Sequence, residues 1–260
     1  MENDLSKIIE HENAHWSKVF KDELENNNYK KFSSFWWEDY YKELSNYINN
    51  LVRKNSLSTV LEAGSGSGKA TILLDPSLKK NFLDISPIAL KFANFLAIKF
   101  GVENPIFIKG NIFEMPIENN SFDLVWNIGV IEHYDLKDIE LILREMIRVS
   151  SESGIVALGM PNFHSGPILK ARFLKKIKFM PGYKIDTEKF HDPQEIKKIL
   201  EKISKEYGRK ISYLEINYFG NPLLMETPRF ILKTIGKFVA NIFNKNKFLI
   251  LITCKFEPYA

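Results

Sequence analysis

The chain has 260 residues, 45% of them hydrophobic, and a net charge of +4, enough for one core domain with additions and too apolar for a disordered polymer. Its single cysteine, Cys254, excludes an intramolecular disulfide framework and any cysteine-built metal or iron–sulfur centre, so no metal site is expected. The charge is too mild to demand nucleic acid; residues 1–10 are acidic, and the longest apolar run, Phe248 to Thr253, is too short to span a bilayer, so a cytoplasmic protein is expected.

Residues 1–55 read as a helical cap, in which Phe32, Phe35, Trp36, Trp37, Tyr40, Tyr41, Leu44, Tyr47 and Ile48 recur at helical spacing. That stripe packs on the core, and Trp36 and Tyr40 are candidates to wall a substrate pocket as well. From Ser58 onward strands and helices alternate. Thr59–Ala63 is predicted as the first strand, followed by the loop Gly64-Ser65-Gly66-Ser67-Gly68 and a helix kept short by Pro76. Asn81–Asp84 is the second strand, and Ser86-Pro87 starts a helix that Gly101 closes. Pro105–Lys109 and Phe122–Ile128 follow as the third and fourth strands. Asp135 caps a helix striped by Ile139, Ile142, Leu143, Met146 and Ile147, and Ser153-Gly154 is expected to turn into a fifth strand, Ile155–Met160.

Residues 161–190 break this rhythm with Lys170, Arg172, Lys175, Lys176, Lys178 and Lys184 and no acid before Asp186, which predicts a lid-like insertion. Asp192-Pro193-x-Glu195 starts another helix with Ile196, Ile199, Leu200 and Ile203 inward. Ile211–Tyr218 and Phe248–Lys255 read as the last strands. Between them a second insertion, 219–247, carries an amphipathic helix with Phe230, Ile231, Ile235, Phe238, Val239, Ile242 and Phe243 on one side and Lys233 and Lys237 facing away. It is read as core or dimer interface in preference to a membrane anchor; peripheral membrane contact is the disfavoured alternative and a homodimer stays open. Continuous apolar strands alternating with helices predict an α/β chain with a mostly parallel sheet covered on both faces.

A strand running into a glycine loop brings backbone N–H groups up to a ligand. Two nucleotide-binding patterns fail on the letters. GxxxxGK[ST] ending at Lys69 meets Ala63 and Ala70, and GxGxxG meets Lys69 or Thr71 where glycine is required. What remains is E-x-G-x-G-x-G from Glu62. In an open parallel sheet ligands bind beyond the carboxyl ends of the strands. There the chain offers Gly64, Gly66 and Gly68, then Asp84, placed to accept from two ribose hydroxyls, then Asn111 and Asn127-Ile128-Gly129.

These motifs, with Phe82-Leu83-Asp84-Ile85-Ser86, Gly110-Asn111, Ser121-Phe122-Asp123-Leu124-Val125 and Gly129-Val130-Ile131-Glu132-His133, resemble class I S-adenosylmethionine-dependent methyltransferases over residues 58–161. The small-molecule group that includes ubiquinone and menaquinone C-methyltransferases is nearest in flavour. The resemblance implies a Rossmann-like seven-stranded sheet in a 56–260 domain and S-adenosylmethionine as cofactor. Glu62 and the Gly64–Gly66 backbone would hold the methionine end, Asp84 the ribose, and Asn111, through its amide oxygen, the adenine. Asn127 and Gly129 would line the path to the sulfonium, with Ser65, Gly68, Ile85 and Ile112 in the same cofactor set. His133 is the candidate catalytic base or acceptor contact. Trp36, Tyr40 and His164 are candidate substrate contacts, and His191, like His164, flanks the basic insertion. The acceptor is expected to be a small molecule; lipid-like quinones, RNA, and a non-catalytic cofactor-binding role are the alternatives.

Overall fold

A computed structural model of the chain describes residues 2–25, 34–177, 185 and 187–257. Phe32, Lys178, Lys184 and Asp186, used above, lie outside the described residues. The strands are β1 (Thr59–Ala63), β2 (Lys79–Asp84), β3 (Ile106–Lys109), β4 (Phe122–Ile128), β5 (Ser150–Pro161), β6 (Lys210–Phe219) and β7 (Leu249–Glu257). They form one sheet in the order β3-β2-β1-β4-β5-β7-β6, in which β7 alone runs antiparallel to its neighbours. The fold is thus the α/β chain with a mostly parallel sheet that the alternation predicts, in the Rossmann-like seven-stranded form that the resemblance implies. One boundary differs. The expected turn at Ser153-Gly154 lies inside β5, because Ser150 already pairs with Phe122 and residues 151–154 are absorbed as a bulge.

Side chains alternate between the two faces of each strand, and both faces are covered. Leu61, Leu83, Val125, Val156 and Ile252 meet α5 (Leu136–Val149) and α7 (Pro193–Glu206). Val60, Leu124, Trp126, Ala157 and Leu251 meet α2 (Phe35–Asn55), while Phe82 meets α4 (Pro87–Lys99). Helix α4 begins as its sequence dictates: Ser86 Oγ accepts the N–H of Ala89 and Pro87 takes the first helical position. Asp135 stands at the start of α5 without capping it, since its carboxylate pairs with Lys189 at 2.9 Å.

Helix α2 buries Trp36, Tyr40, Leu44, Ile48 and Val52, one residue per turn, against the sheet. The 161–190 stretch contains α6 (Gly166–Lys176), which the sequence reading did not anticipate. The 229–243 helix is broken into α8 (Arg229–Ile231), a wider π turn at Leu232–Gly236, and α9 (Lys237–Ile242). Its assignment to the core is corrected: Leu232 and Gly236 are buried, whereas Phe230, Ile235, Phe238, Ile242 and Phe243 are exposed. The excursion is pinned by one narrow side. Asn221 Nδ2 donates to the Gly236 carbonyl at 3.2 Å, and Leu232 enters the α2 layer.

Trp36 is 1% exposed and its indole N–H donates to the Leu223 carbonyl at 3.0 Å. Trp36→Ala is therefore expected to lower the unfolding free energy by about 3–5 kcal/mol. Urea titration checks this, and a loss under about 1 kcal/mol would contradict the packing described.

Candidate functional site

Strand order reverses between β1 and β4, because the chain leaves β1 toward β2 and β4 toward β5 on opposite sides. No connection bridges the carboxyl ends of these two strands, and a crevice opens there. The glycine loop fills its floor. Gly64 and Gly66 hold φ of 75° and 50°, the left-handed region, and a Cβ at Gly66 would stand 2.8 Å from the Phe20 ring.

Four of the five N–H groups of the loop are not bare, contrary to what its sequence suggests. The N–H groups of Gly64 and Ser65 both donate to the Leu83 carbonyl at 2.8 Å, and that of Gly68 donates to the Ser65 carbonyl at 2.7 Å. The N–H of Gly66 donates to Asp84 Oδ2 at 2.8 Å. The following helix, α3 (Lys69–Ile72), is one turn long and adds little dipole. What the loop contributes is close approach. Gly68 does not face the cavity at all: a Cβ there would meet the Phe82 ring at 2.7 Å, so this glycine lets the loop pack on β2.

Asp84 binds the loop to the next helix. Its Oδ2 takes the Gly66 N–H and its Oδ1 the Ser86 N–H, each at 2.8 Å. Burial pushes its carboxyl up, while N–H bonds from Ser86, Gly66 and Ile85 pull it down. A carboxylate has about four acceptor positions, so Asp84 keeps capacity toward the cavity it lines. Asn111 requires a correction. Its Oδ1 accepts the N–H groups of Phe113 and Glu114 at 2.7 and 2.9 Å, closing an Asx-type turn. The amide oxygen is occupied, and the NH₂ is what Asn111 offers a ligand.

Four buried polar atoms at the ends of β1 and β4 lack a hydrogen-bond partner: Glu62 Oε2, Ser65 Oγ, Asn127 Oδ1 and Glu132 Oε2. Such atoms are costly in an apolar surround and match a donor-rich, cationic guest. Burial pushes Glu62 up to about 8, against hydrogen bonds from Thr71 and with help from the charge of Asp84. Burial pushes Glu132 up to about 8 as well, with a contribution from Glu188. Neither acid lines the cavity, and nor does Asn127. Strand alternation points Asn127, like Val125, toward α5, where its NH₂ donates to Met146 Sδ at 3.4 Å. Ile128, Gly129 and Val130 supply that wall instead.

The roof comes from α1 (Glu2–Glu25), whose Ile9, Glu12, Trp16 and Phe20 close a cavity of about 220 Å³ over Ser65, Asp84, Ile85, Asn111, Ile112, Phe113, His133 and Tyr134. Ser17 Oγ meets Ser86 Oγ at 2.8 Å, and the Phe20 ring packs on Phe92. The sequence reading missed these roof residues, although positions 9, 12, 16 and 20 share one helical face. Trp36 and Tyr40, read as pocket walls, are packed away with Phe248 on the α2 side of the sheet. Tyr40 is pushed further above its ordinary value by burial, then by Tyr41, Glu132 and Glu62.

His133 lies on the cavity wall, its Nδ1 2.6 Å from Thr187 Oγ1 and its ring edge-on to Trp16. His164 does not join it: it sits with Phe163, Arg172 and Phe190 in a separate shallow depression. His191 is buried away from the cavity, and its imidazole is pushed down by burial.

Comparison with known proteins places residues 54–208 in a family described as Methyltransferase domain. The chain is 38% identical over 77 residues to ajmaline N-methyltransferase of Rauvolfia serpentina, a segment covering 29% of this chain and only 26% of that relative. It is 29% identical over 233 residues to an uncharacterized protein of Methanocaldococcus jannaschii, covering 86% of this chain and 90% of that one. Among solved structures, magnesium protoporphyrin IX methyltransferase of Synechocystis PCC 6803, with bound SAH, superposes with a TM-score of 0.60 at 16% identity, covering 94% and 98% of the two chains.

Glu132 generates a stability test. Its carboxyl titrates near 8 when folded and near 4.5 when unfolded, so the folded chain holds the extra proton between those values. Stability from this group is complete below about pH 4.5 and is lost as pH rises toward 8. Glu132→Gln should raise the unfolding free energy at pH 7.5 by about 1–3 kcal/mol and change nothing near pH 4. Thermal melts across that range read it out, and an equal effect at both ends would contradict it.

Proposed function

The chain belongs to the methyltransferase-domain family, of the class I S-adenosylmethionine-dependent kind, and on that premise we propose that it methylates a small-molecule acceptor held under α1. The observation that carries this reading is the roofed cavity at the β1/β4 switch point, which joins Asp84 and the glycine loop to an aromatic roof. The residues present fit the cofactor. Ile85, Ile112 and Phe113 form an apolar slot for adenine, with the Asn111 NH₂ at its edge. Asp84, with three N–H groups already on it, keeps about one acceptor position for a ribose hydroxyl. Ser65 Oγ, unpartnered on the cavity wall, marks the end of β1 as the place for an ammonium group, with the unpartnered Glu62 oxygen buried behind it. The relative with bound SAH and the one named for N-methylating ajmaline support the same assignment.

The bound cofactor supplies a methyl group on a positively charged sulfur, which needs no covalent help from the protein. The protein's task is to align the acceptor behind that carbon, and alignment of this kind contributes up to about 7–11 kcal/mol. Trp16, Phe20 and Tyr134 present flat apolar surfaces that exclude water and orient an acceptor. His133 accepts a proton where the acceptor atom carries one, with Thr187 fixing the ring.

S-adenosylmethionine and S-adenosylhomocysteine are expected to bind at about micromolar concentration by isothermal titration. Asp84→Ala should weaken both by about tenfold or more. Binding of NAD⁺ or ATP in their place would refute the reading. A cation settling beside Glu62 favours its ionised form. Affinity should therefore rise with pH from about 6 to 8, with proton release, by up to about tenfold per unit. A flat pH profile would remove Glu62 from the cofactor's surroundings. His133→Ala should cut turnover about 100-fold while cofactor affinity stays within about twofold. S-adenosylhomocysteine formed with RNA, and with no small molecule in a broad panel, would replace the acceptor proposed here.

A further inference from the structure

Methyl transfer leaves the 229–243 segment unused, although it is built with care. Asn221 and Leu232 fasten one edge of it to the body, and the opposite side presents Phe230, Ile235, Phe238, Ile242 and Phe243, each more than half exposed. Apolar side chains concentrated on one exposed helical face mark a contact surface. Helix α6, nearby, also exposes Leu169 and Phe173. The two elements adjoin: Asn246 Nδ2 donates to the His164 carbonyl at 2.9 Å, and the Gly166 N–H to the Pro222 carbonyl at 3.2 Å.

Charge selects the occupant. No Asp or Glu occurs between Glu226 and Glu257, while Arg229, Lys233, Lys237, Lys245 and Lys247 do. Arg229 and Lys233 lie over the Phe35 ring, and Lys247 is buried on Glu43; Lys237 and Lys245 are exposed beside the apolar face. Helix α6 adds exposed Arg172, Lys175 and Lys176, and the nearby acid, Glu226, is paired with Lys170. A second copy docked through a two-fold axis would set this basic surface against itself. RNA would answer the charge and leave Ile235 and Ile242 in water. An anionic bilayer answers both, taking the cations at its headgroups and the apolar side chains at the acyl boundary.

We infer that the 229–243 segment, with α6 beside it, docks this protein on an anionic membrane surface. The contact is peripheral, since no described helix is long and apolar enough to cross a membrane. The segment leaves β6 at the end of the sheet where the carboxyl ends of β1 and β4 also lie, so the docked face and the crevice share one end of the molecule. Docking is read by binding alone and stands or falls separately from methyl transfer.

The test is co-sedimentation of the full chain with phosphatidylcholine vesicles, with and without phosphatidylglycerol. The protein should pellet with the anionic vesicles and stay in solution with the neutral ones. Phe238→Ser/Ile242→Ser and Lys237→Glu/Lys245→Glu should each weaken binding by about tenfold or more. Melting temperature and S-adenosylhomocysteine affinity, held at wild-type values, verify that both variants are folded. Failure to pellet with anionic vesicles, equal binding to neutral ones, or full binding by the apolar variant would each overturn the inference. So would a dimer abolished by Phe238→Ser, or salt-dependent RNA binding, in a protein that ignores vesicles.

Discussion

The crevice keeps its shape because one buried carboxylate is bonded on two sides. Asp84 takes the Gly66 N–H on one oxygen and the Ser86 N–H on the other, so the loop leaving β1 is fastened to the helix leaving β2. The Leu83 carbonyl, one residue earlier, holds the N–H groups of Gly64 and Ser65. A loop with four of its backbone N–H groups already bonded is ordered before any ligand arrives, which lowers the entropy lost on binding. The roof depends on the same joint, since Ser17 of α1 meets Ser86 two residues beyond Asp84.

Behind this floor the protein keeps polar groups it does not satisfy by itself. Glu62 and Glu132 are buried, each with an oxygen lacking a donor, and burial holds both near 8. Alternation along β1 explains the placement. Leu61 faces α5, so Glu62 faces α2, where Tyr40 and Tyr41 feel its charge. In a low-dielectric surround such acids destabilise the free protein.

The parts that distinguish this chain lie at the carboxyl-terminal end of the parallel strands. Helix α1 roofs the crevice beside β1 and β2, and the excursion between β6 and β7 carries an apolar, basic face outward at the far side of the sheet. These are the segments where the family motifs stop. The floor of the crevice is local to β1, β2 and β4, whereas roof and surface are added by flanking chain.

Sequence alone determined the elements whose causes are local. Phe122–Ile128 was legible as a strand from its apolar run, Pro87–Lys99 as a helix from Ser86-Pro87 and Gly101, and Pro193–Glu206 from Asp192-Pro193. Strand-end positions of Gly64, Asp84 and Asn111 were legible for the same reason. Tertiary structure alone decided which partner each group found. The Asn111 oxygen turned to its own backbone, Asn127 turned to Met146, and Trp36 and Tyr40 went under the sheet while Trp16 and Phe20 took the roof. A helical stripe states that a face is buried without stating against what, and a glycine loop states that ligands come close without stating which N–H groups remain. The exposed face at Phe230 to Phe243 follows the same logic: periodicity marked it apolar, and only packing showed that nothing among the described residues covers it.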